Sequence, residues 1–145
     1  MKLLVDSCVF INAMKSDSVH RPECLEFLEY LVSTRTTMTM PAHGWFEVHC
    51  SLKRAREIDK KFLGAPIGAE WNFPIELIHI DEKFLRRYGN VEMPYSKAGD
   101  HIYLVVAYVN GYPLVTTDQG MTKVAKSLGI SVFDPPSYLQ SRSDA

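Results

Sequence analysis

Four acidic residues, Asp6, Glu47, Asp100 and Asp118, are of the type and in the positions to do chemistry together. Asp6 directly follows the apolar run Leu3-Leu4-Val5, and the stretch from Pro113 to Thr116 is followed at once by Thr117 and Asp118. Short apolar runs ending in turn residues read as buried strands. Both acids would then project from the carboxyl edge of a sheet, where open α/β sheets bind their ligands. Asp100 falls in the first turn of a predicted core helix, whose positive dipole end favours an anion. Glu47 lies two turns into a helix leaving the same edge, among bulky apolar neighbours, with His43, Gly44 and Ser51 on its own face. Each acid also has an ordinary structural reading: helix caps for Asp6 and Asp118, a dipole partner for Asp100, a solvated position for Glu47. Four bare carboxylates in one crevice would repel and raise one another's pKa, and a divalent cation relieves that repulsion. With only oxygen ligands and no Cys/His cluster at zinc spacing, the expected ion is Mg²⁺ or Mn²⁺.

The elements that must position these acids alternate along the chain. After the first strand, Val9-Phe10-Ile11 starts a helix that packs back onto the sheet. Residues 22–32 put Cys24, Leu25, Leu28, Leu31 and Val32 on one stripe of an amphipathic helix, with Glu23, Glu26 and Glu29 elsewhere. A strand is expected over 36–40, and a helix from Pro41 to about Arg56. Lys53 to Lys61 carries five basic against two acidic residues. An exposed helix explains that run; Lys53, Arg54 and Arg56 could also line a phosphate path. Residues 62–74 read as a loop with some apolar surface, 75–80 as a strand, and Asp81 as the cap of a short helix through Arg87. Ser96 is expected to cap a helix over 97–110, closed by Gly111. A helix over about 119–128 and a strand over 130–133 complete the pattern, and residues 135–145 read as a polar, frayed C-terminal tail. Strands alternating with helices imply an α/β fold with a mostly parallel central sheet of about five short strands flanked by helices.

The bulk numbers agree with one domain. The chain has 145 residues, 46% of them hydrophobic and 23% charged, enough for a single core without staples. Three cysteines, Cys8, Cys24 and Cys50, with no C-x-x-C pattern exclude a disulfide framework and point to a reducing cytoplasm. No secretory leader pattern and no apolar run of membrane length is expected. A net charge of −1 excludes a protein that holds nucleic acid mainly by bulk electrostatics.

Taken in order, Leu3-Leu-Val-Asp6-Ser7, Pro41-Ala-His-Gly-Trp-Phe-Glu47, Lys97-Ala-Gly-Asp100-His-Ile-Tyr103 and Gly111-Tyr-Pro-Leu-Val-Thr116-Thr-Asp118 resemble the PIN-domain family of metal-dependent ribonucleases, especially the small VapC-type toxins of toxin–antitoxin pairs. The resemblance spans nearly the whole chain, with a PIN-like nuclease domain over 1–134. It implies that Asp6, Glu47, Asp100 and Asp118 are the catalytic residues and hold one or two Mg²⁺ (or Mn²⁺) ions for hydrolysis of an RNA phosphodiester. Ser7 and Thr116 would orient carboxylates or waters behind them, although turn chemistry accounts for both equally well. It also implies a homodimer and a cognate antitoxin protein that blocks the acidic crevice, often with a basic side chain. One departure stands out: the family usually has Asn two positions after the first Asp, and here that position is Cys8. A thiol lacks the amide's hydrogen bonds. His101 reads as a packed or surface histidine rather than a base.

Two other readings compete. A phosphate-handling enzyme of the haloacid-dehalogenase type also opens on a strand-ending Asp, but needs a second Asp where Cys8 stands. A PIN-like module that acts by binding RNA or protein, with little or no catalysis, is favoured by Cys8 and by the missing basic excess. Retention of all four acids opposes it.

Overall fold

The computed structural model describes residues 2–60 and 74–144. The elements are β1 (Leu3–Val5), α1 (Ser7–Met14), α2 (Arg21–Ser33), β2 (Met38–Pro41), α3 (Ala42–Arg54) with a π-helical turn over Ala55–Asp59, β3 (Ile75–Ile78), α4 (Glu82–Tyr88), α5 (Ala98–Asn110), β4 (Leu114–Val115), α6 (Gln119–Ser127), β5 (Val132–Phe133) and α7 (Pro135–Ser143). The five strands form one sheet in the order β3-β2-β1-β4-β5, and every adjacent pair is parallel. The α/β architecture expected from the alternation is therefore present.

Burial explains the centre of the sheet. All three residues of β1 are buried, as a strand covered by helices on both faces requires. Leu4, Val5, Phe10, Phe27, Leu31, Met38, Met40, Leu104 and Leu114 are sealed from solvent. Each such side chain contributes roughly 1.5–3 kcal/mol relative to an exposed position. Helix α1 packs on α2 and α3, and Phe10 meets Trp45 edge-on with ring centroids 5.2 Å apart.

Several boundaries differ from the sequence reading for local reasons. β2 starts at Met38 because Thr36 is tied to the end of α2: its N–H donates to the Leu31 carbonyl, after Arg35 turns into the left-handed region at φ 55°. Pro41 closes β2 in an extended conformation, and α3 begins only at Ala42. Asp81 caps α4 as expected, its carboxylate accepting the Phe84 N–H at 2.9 Å. Ser96 does not cap α5: the cap position is Lys97, and the Ser96 hydroxyl pairs with His101 Nδ1 at 3.0 Å. Gly111 ends α5 in the left-handed conformation, φ 69°. Of the loop expected over 62–74, residues 62–73 lie outside the described residues.

The C-terminal tail is the clearest correction. Residues 135–143 form a helix, not a frayed tail. Asp134 caps it by accepting the Ser137 N–H at 2.8 Å, and Pro135 and Pro136 occupy the first turn, where proline is pre-set for a helix. Tyr138 is buried in an aromatic cluster, edge-on to Phe27 (5.5 Å), Phe133 (5.8 Å) and Tyr30 (6.4 Å).

Candidate functional site

The strand order creates a reversal at the β1/β4 pair. From β1 the chain moves outward to β2 and β3 on one side, while β4 and β5 lie on the other. A crevice forms outside the carboxyl ends of strands at such a reversal. Asp6 leaves β1 there and Thr116 to Asp118 leave β4 there; the Asp6 N–H still donates to the Val115 carbonyl at 2.9 Å.

Asp6 is buried and does not cap α1: its side chain makes no cap hydrogen bond. Its Oδ2 accepts from the Thr116 hydroxyl at 2.7 Å and the Cys8 thiol at 3.0 Å. The Ser7 hydroxyl sits between two acids, 3.4 Å from Asp6 Oδ1 and 3.3 Å from Glu47 Oε2, so its single proton is shared between them. Thr116 Oγ1 in turn accepts the Asp118 N–H at 3.0 Å. Ser7 and Thr116 thus connect the acids through hydrogen bonds.

Asp118 is an exposed cap of α6, with Oδ1 accepting the Met121 N–H at 2.9 Å. Glu47 is half exposed, its side chain retaining 51% of its accessibility, rather than enclosed by apolar neighbours. His43, one turn earlier on α3, lies with Nε2 3.6 Å from Glu47 Oε1 and 3.1 Å from the Gly99 carbonyl. Its hydrogen bond goes to the turn that carries Asp100, and Glu47 lies alongside. Burial first, then the charges of Asp118 and Asp6, raise the Asp100 carboxyl above its ordinary range, while Lys97 and His43 pull it back. Asp100 accordingly shares an electrostatic neighbourhood with Asp6 and Asp118.

Asp6 and Glu47 share the Ser7 hydroxyl, and Asp100 feels the charges of Asp118 and Asp6, but the four acids are not gathered into a common shell. Among the described residues, no three His, Cys, Asp or Glu side chains form a ready ligand group. The donors fit a hard cation in kind: carboxylate oxygens, mutually repelling, held from behind by hydroxyls. Lys53 and Arg54 are exposed at the end of α3, six to seven residues beyond Glu47, or roughly 9–11 Å along the helix axis at 1.5 Å per residue. Arg54 Nε lies 3.5 Å from Asp59 Oδ2, and Arg56 is in the π-helical turn.

Three contacts here were not legible in the sequence. Tyr103, in the apolar body of α5, is buried and accepts the Ser7 N–H on its hydroxyl at 3.1 Å. Burial and then the Asp6 charge push its phenol well above the usual range. Gly44 on α3 makes room for it: a β-carbon there would lie 2.0 Å from the Tyr103 oxygen. A tyrosine within the apolar body of α5 and a glycine inside α3 were the signals present. Cys8, at the position where the family usually has Asn, makes hydrogen bonds of its own. Its sulfur donates to Asp6 and accepts from the Thr117 hydroxyl at 3.1 Å. Burial, followed by the Asp6 charge, pushes the thiol up to about 12.

An all-parallel α/β domain with linked carboxylates at its switch point defines a class of acid-site domains. Within that class the sequence places the chain directly: the PIN domain family model matches residues 3–127, and the chain belongs to the PIN domain family. Two solved structures share the fold. One is a toxin–antitoxin complex from Klebsiella pneumoniae, with 18% identity over 92% of this chain and 98% of that one at a TM-score of 0.55. The other is VapBC2 from Rickettsia felis bound to a DNA fragment from their promoter, with 12% identity, the same coverages and a TM-score of 0.55. No curated protein matches the sequence. Among the described residues, no helix is long and apolar enough to cross a membrane.

Proposed function

We propose that this chain is a Mg²⁺- or Mn²⁺-dependent endoribonuclease of the VapC type, the toxin of a toxin–antitoxin pair. The observation that carries this reading is the linkage of Asp6, Glu47, Asp100 and Asp118 at the sheet's switch point through Ser7, Thr116 and electrostatic contact. Asp6, Glu47, Asp100 and Asp118 would hold the ion. Bound there, a divalent ion would supply Lewis acidity for activating a water and would offset negative charge on a phosphodiester.

The chain's own residues supply the positioning. Thr116 and Cys8 engage Oδ2 of Asp6, so their donors fix the rotation of that carboxylate. Ser7 holds Asp6 and Glu47 at a set separation, and the Tyr103 hydroxyl holds the Ser7 backbone. His43 bonds the Gly99 carbonyl beside Asp100 and so fixes its own ring next to Glu47. No protein nucleophile is required, because the attacking group is water. Lys53, Arg54 and Arg56 are proposed to guide the RNA backbone locally, in keeping with a chain of net charge −1.

The partners in this reading are RNA, a second copy of the chain, and an antitoxin that inserts a basic side chain among the acids. Similarity in fold to the two toxin–antitoxin structures supports the antitoxin. A cytoplasmic location fits three free cysteines. The second reading, a PIN-like module acting by binding with weak or no catalysis, draws on Cys8 at the usual asparagine position.

Purified protein incubated with RNA and Mg²⁺ discriminates between the two. Cleavage that is lost with a chelator and lost in Asp6→Asn and Asp100→Asn supports the nuclease. RNA binding without cleavage by the wild type favours the module, and cleavage by both variants at the wild-type rate removes the acids from the chemistry.

A further inference from the structure

A cavity of about 190 Å³ is lined by Thr116, Thr117, His20, Gln119, Lys126 and Phe133, with none of the four acids in its wall. It is contiguous with the candidate site, because Thr116 touches Asp6 and Thr117 touches Cys8. Its size is below the ~300–1,000 Å³ of pockets for drug-sized ligands, and suits one planar heterocycle rather than a whole nucleotide or a stacked pair. Its charge does not suit a phosphate: Glu23 and Asp134 stand against Lys126, and His20 Nδ1 is paired with Glu23 Oε1 at 2.5 Å. What remains is a neutral mixture of donors, acceptors and one aromatic wall. Single-stranded RNA is read by that combination, with a splayed base stacked on an aromatic ring and its edge met by side-chain amides and hydroxyls.

Most of the lining is already committed. The Thr117 hydroxyl donates to Cys8 and accepts from Asn12, Thr122 donates to the Asp118 carbonyl, and Asp134 caps α7. Gln119 and Lys126 make no side-chain hydrogen bond or ion pair among the described residues, and both are exposed residues of the lining. Gln119 offers both a donor and an acceptor, as a base edge does, and Lys126 can reach a phosphate only at the rim.

We infer that this cavity is a single-base subsite, in which Gln119 reads the edge of the nucleobase adjoining the scissile phosphate and Lys126 holds the flanking phosphate. The inference rests on the nuclease reading for its substrate class. It makes Gln119 the specificity-determining residue of the chain, outside the acidic set.

The test uses the full chain and two readouts. The first is binding of a fluorescein-labelled, mixed-sequence single-stranded RNA octamer to the Asp100→Asn protein, monitored by anisotropy. Adding Gln119→Ala or Lys126→Ala should weaken that binding about tenfold, as loss of one good base or phosphate contact does. The second is sequencing of the ends produced by otherwise wild-type protein. Gln119→Ala should erase the base preference at one position beside the cut, and raise KM more than it lowers kcat. Both substituted residues are exposed, so an unchanged urea midpoint verifies the fold. Unchanged affinity and an unchanged preference in Gln119→Ala overturn the subsite while leaving the nuclease intact. Binding that weakens in the variants while the wild type never cleaves retains the subsite and overturns the nuclease. No octamer binding by the Asp100→Asn protein overturns the subsite outright.

Discussion

Replacing Gly44 with alanine sets a single methyl group against the hydroxyl that supports the acid site. The added β-carbon would stand 2.0 Å from the Tyr103 oxygen, 3.1 Å from its Cζ and 3.1 Å from Met40 Cγ. Tyr103 retains only 2% of its accessibility and Met40 none, so neither side chain can swing away into solvent. Overpacking of this kind costs roughly 1–3 kcal/mol, while alanine gains about 0.8–1.0 kcal/mol over glycine as a helix former. Gly44→Ala should therefore destabilise by about 0–2 kcal/mol, where helix propensity alone would stabilise. Tyr103→Phe alone deprives the Ser7 N–H of its acceptor, a buried donor left unsatisfied at about 1–3 kcal/mol. In the double variant the closest clash is absent because the oxygen is absent. The combined loss should fall short of the sum of the singles by about 1–2 kcal/mol, well beyond the ~0.3–0.5 kcal/mol scatter of independent sites. Urea unfolding of the four proteins at neutral pH measures the coupling. Additivity within that scatter, or a Gly44→Ala protein more stable than wild type, would refute the packing argument.

Three further outcomes are expected from the same contacts. Asp100 binds its proton more tightly folded than unfolded, so its charge opposes folding above the raised value and that opposition fades as pH falls toward 3.8. With divalent ions chelated, Asp100→Asn should thus be the more stable protein at neutral pH and lose its advantage in acid. Added Mg²⁺ should stabilise wild type more than the variant, and equal denaturation curves at neutral pH in chelator would contradict this. Ending the chain after Phe133 removes Tyr138 from its aromatic cluster and should lower stability by about 3–5 kcal/mol, the range for loss of a buried aromatic; an unchanged urea midpoint would show the helix to be dispensable. Cys8 and Cys24 are both pushed up to about 12, whereas Cys50 is exposed. A thiol reagent at pH 7 should label Cys50 first, with Cys8 and Cys24 holding thiolate at about one part in 10⁵. Peptide mapping that finds Cys8 labelled as fast as Cys50 would count against its burial beside Asp6.

The periodicities of this chain were strong local signals. Leu3-Leu-Val announced a strand covered on both faces, the stripe over residues 24–32 announced α2, and Gly111 announced the end of α5. Asp6, Asp100 and Asp118 stood out because each followed or began such an element, and Glu47 because it was an acid among bulky apolar neighbours inside a helix. Pro135-Pro136 misled because proline both stops and starts helices. The residues downstream of the prolines decide between the two roles, and here Tyr138 finds Phe27 on an element more than a hundred residues earlier.

By itself, the sequence determined the order of strands and helices, the attachment of Asp6, Asp100 and Asp118 to the ends of such elements and the place of Glu47 within α3, since all depend on residues a few positions apart. The tertiary structure alone decided that β1 and β4 are neighbours, that Ser7 lies between Asp6 and Glu47, and that a tyrosine from α5 reaches Ser7 over Gly44. The Ser7 contacts join segments 40 to 96 residues apart. Such pairings are set by strand order and by the room left in the packed core, which no local pattern of residues encodes.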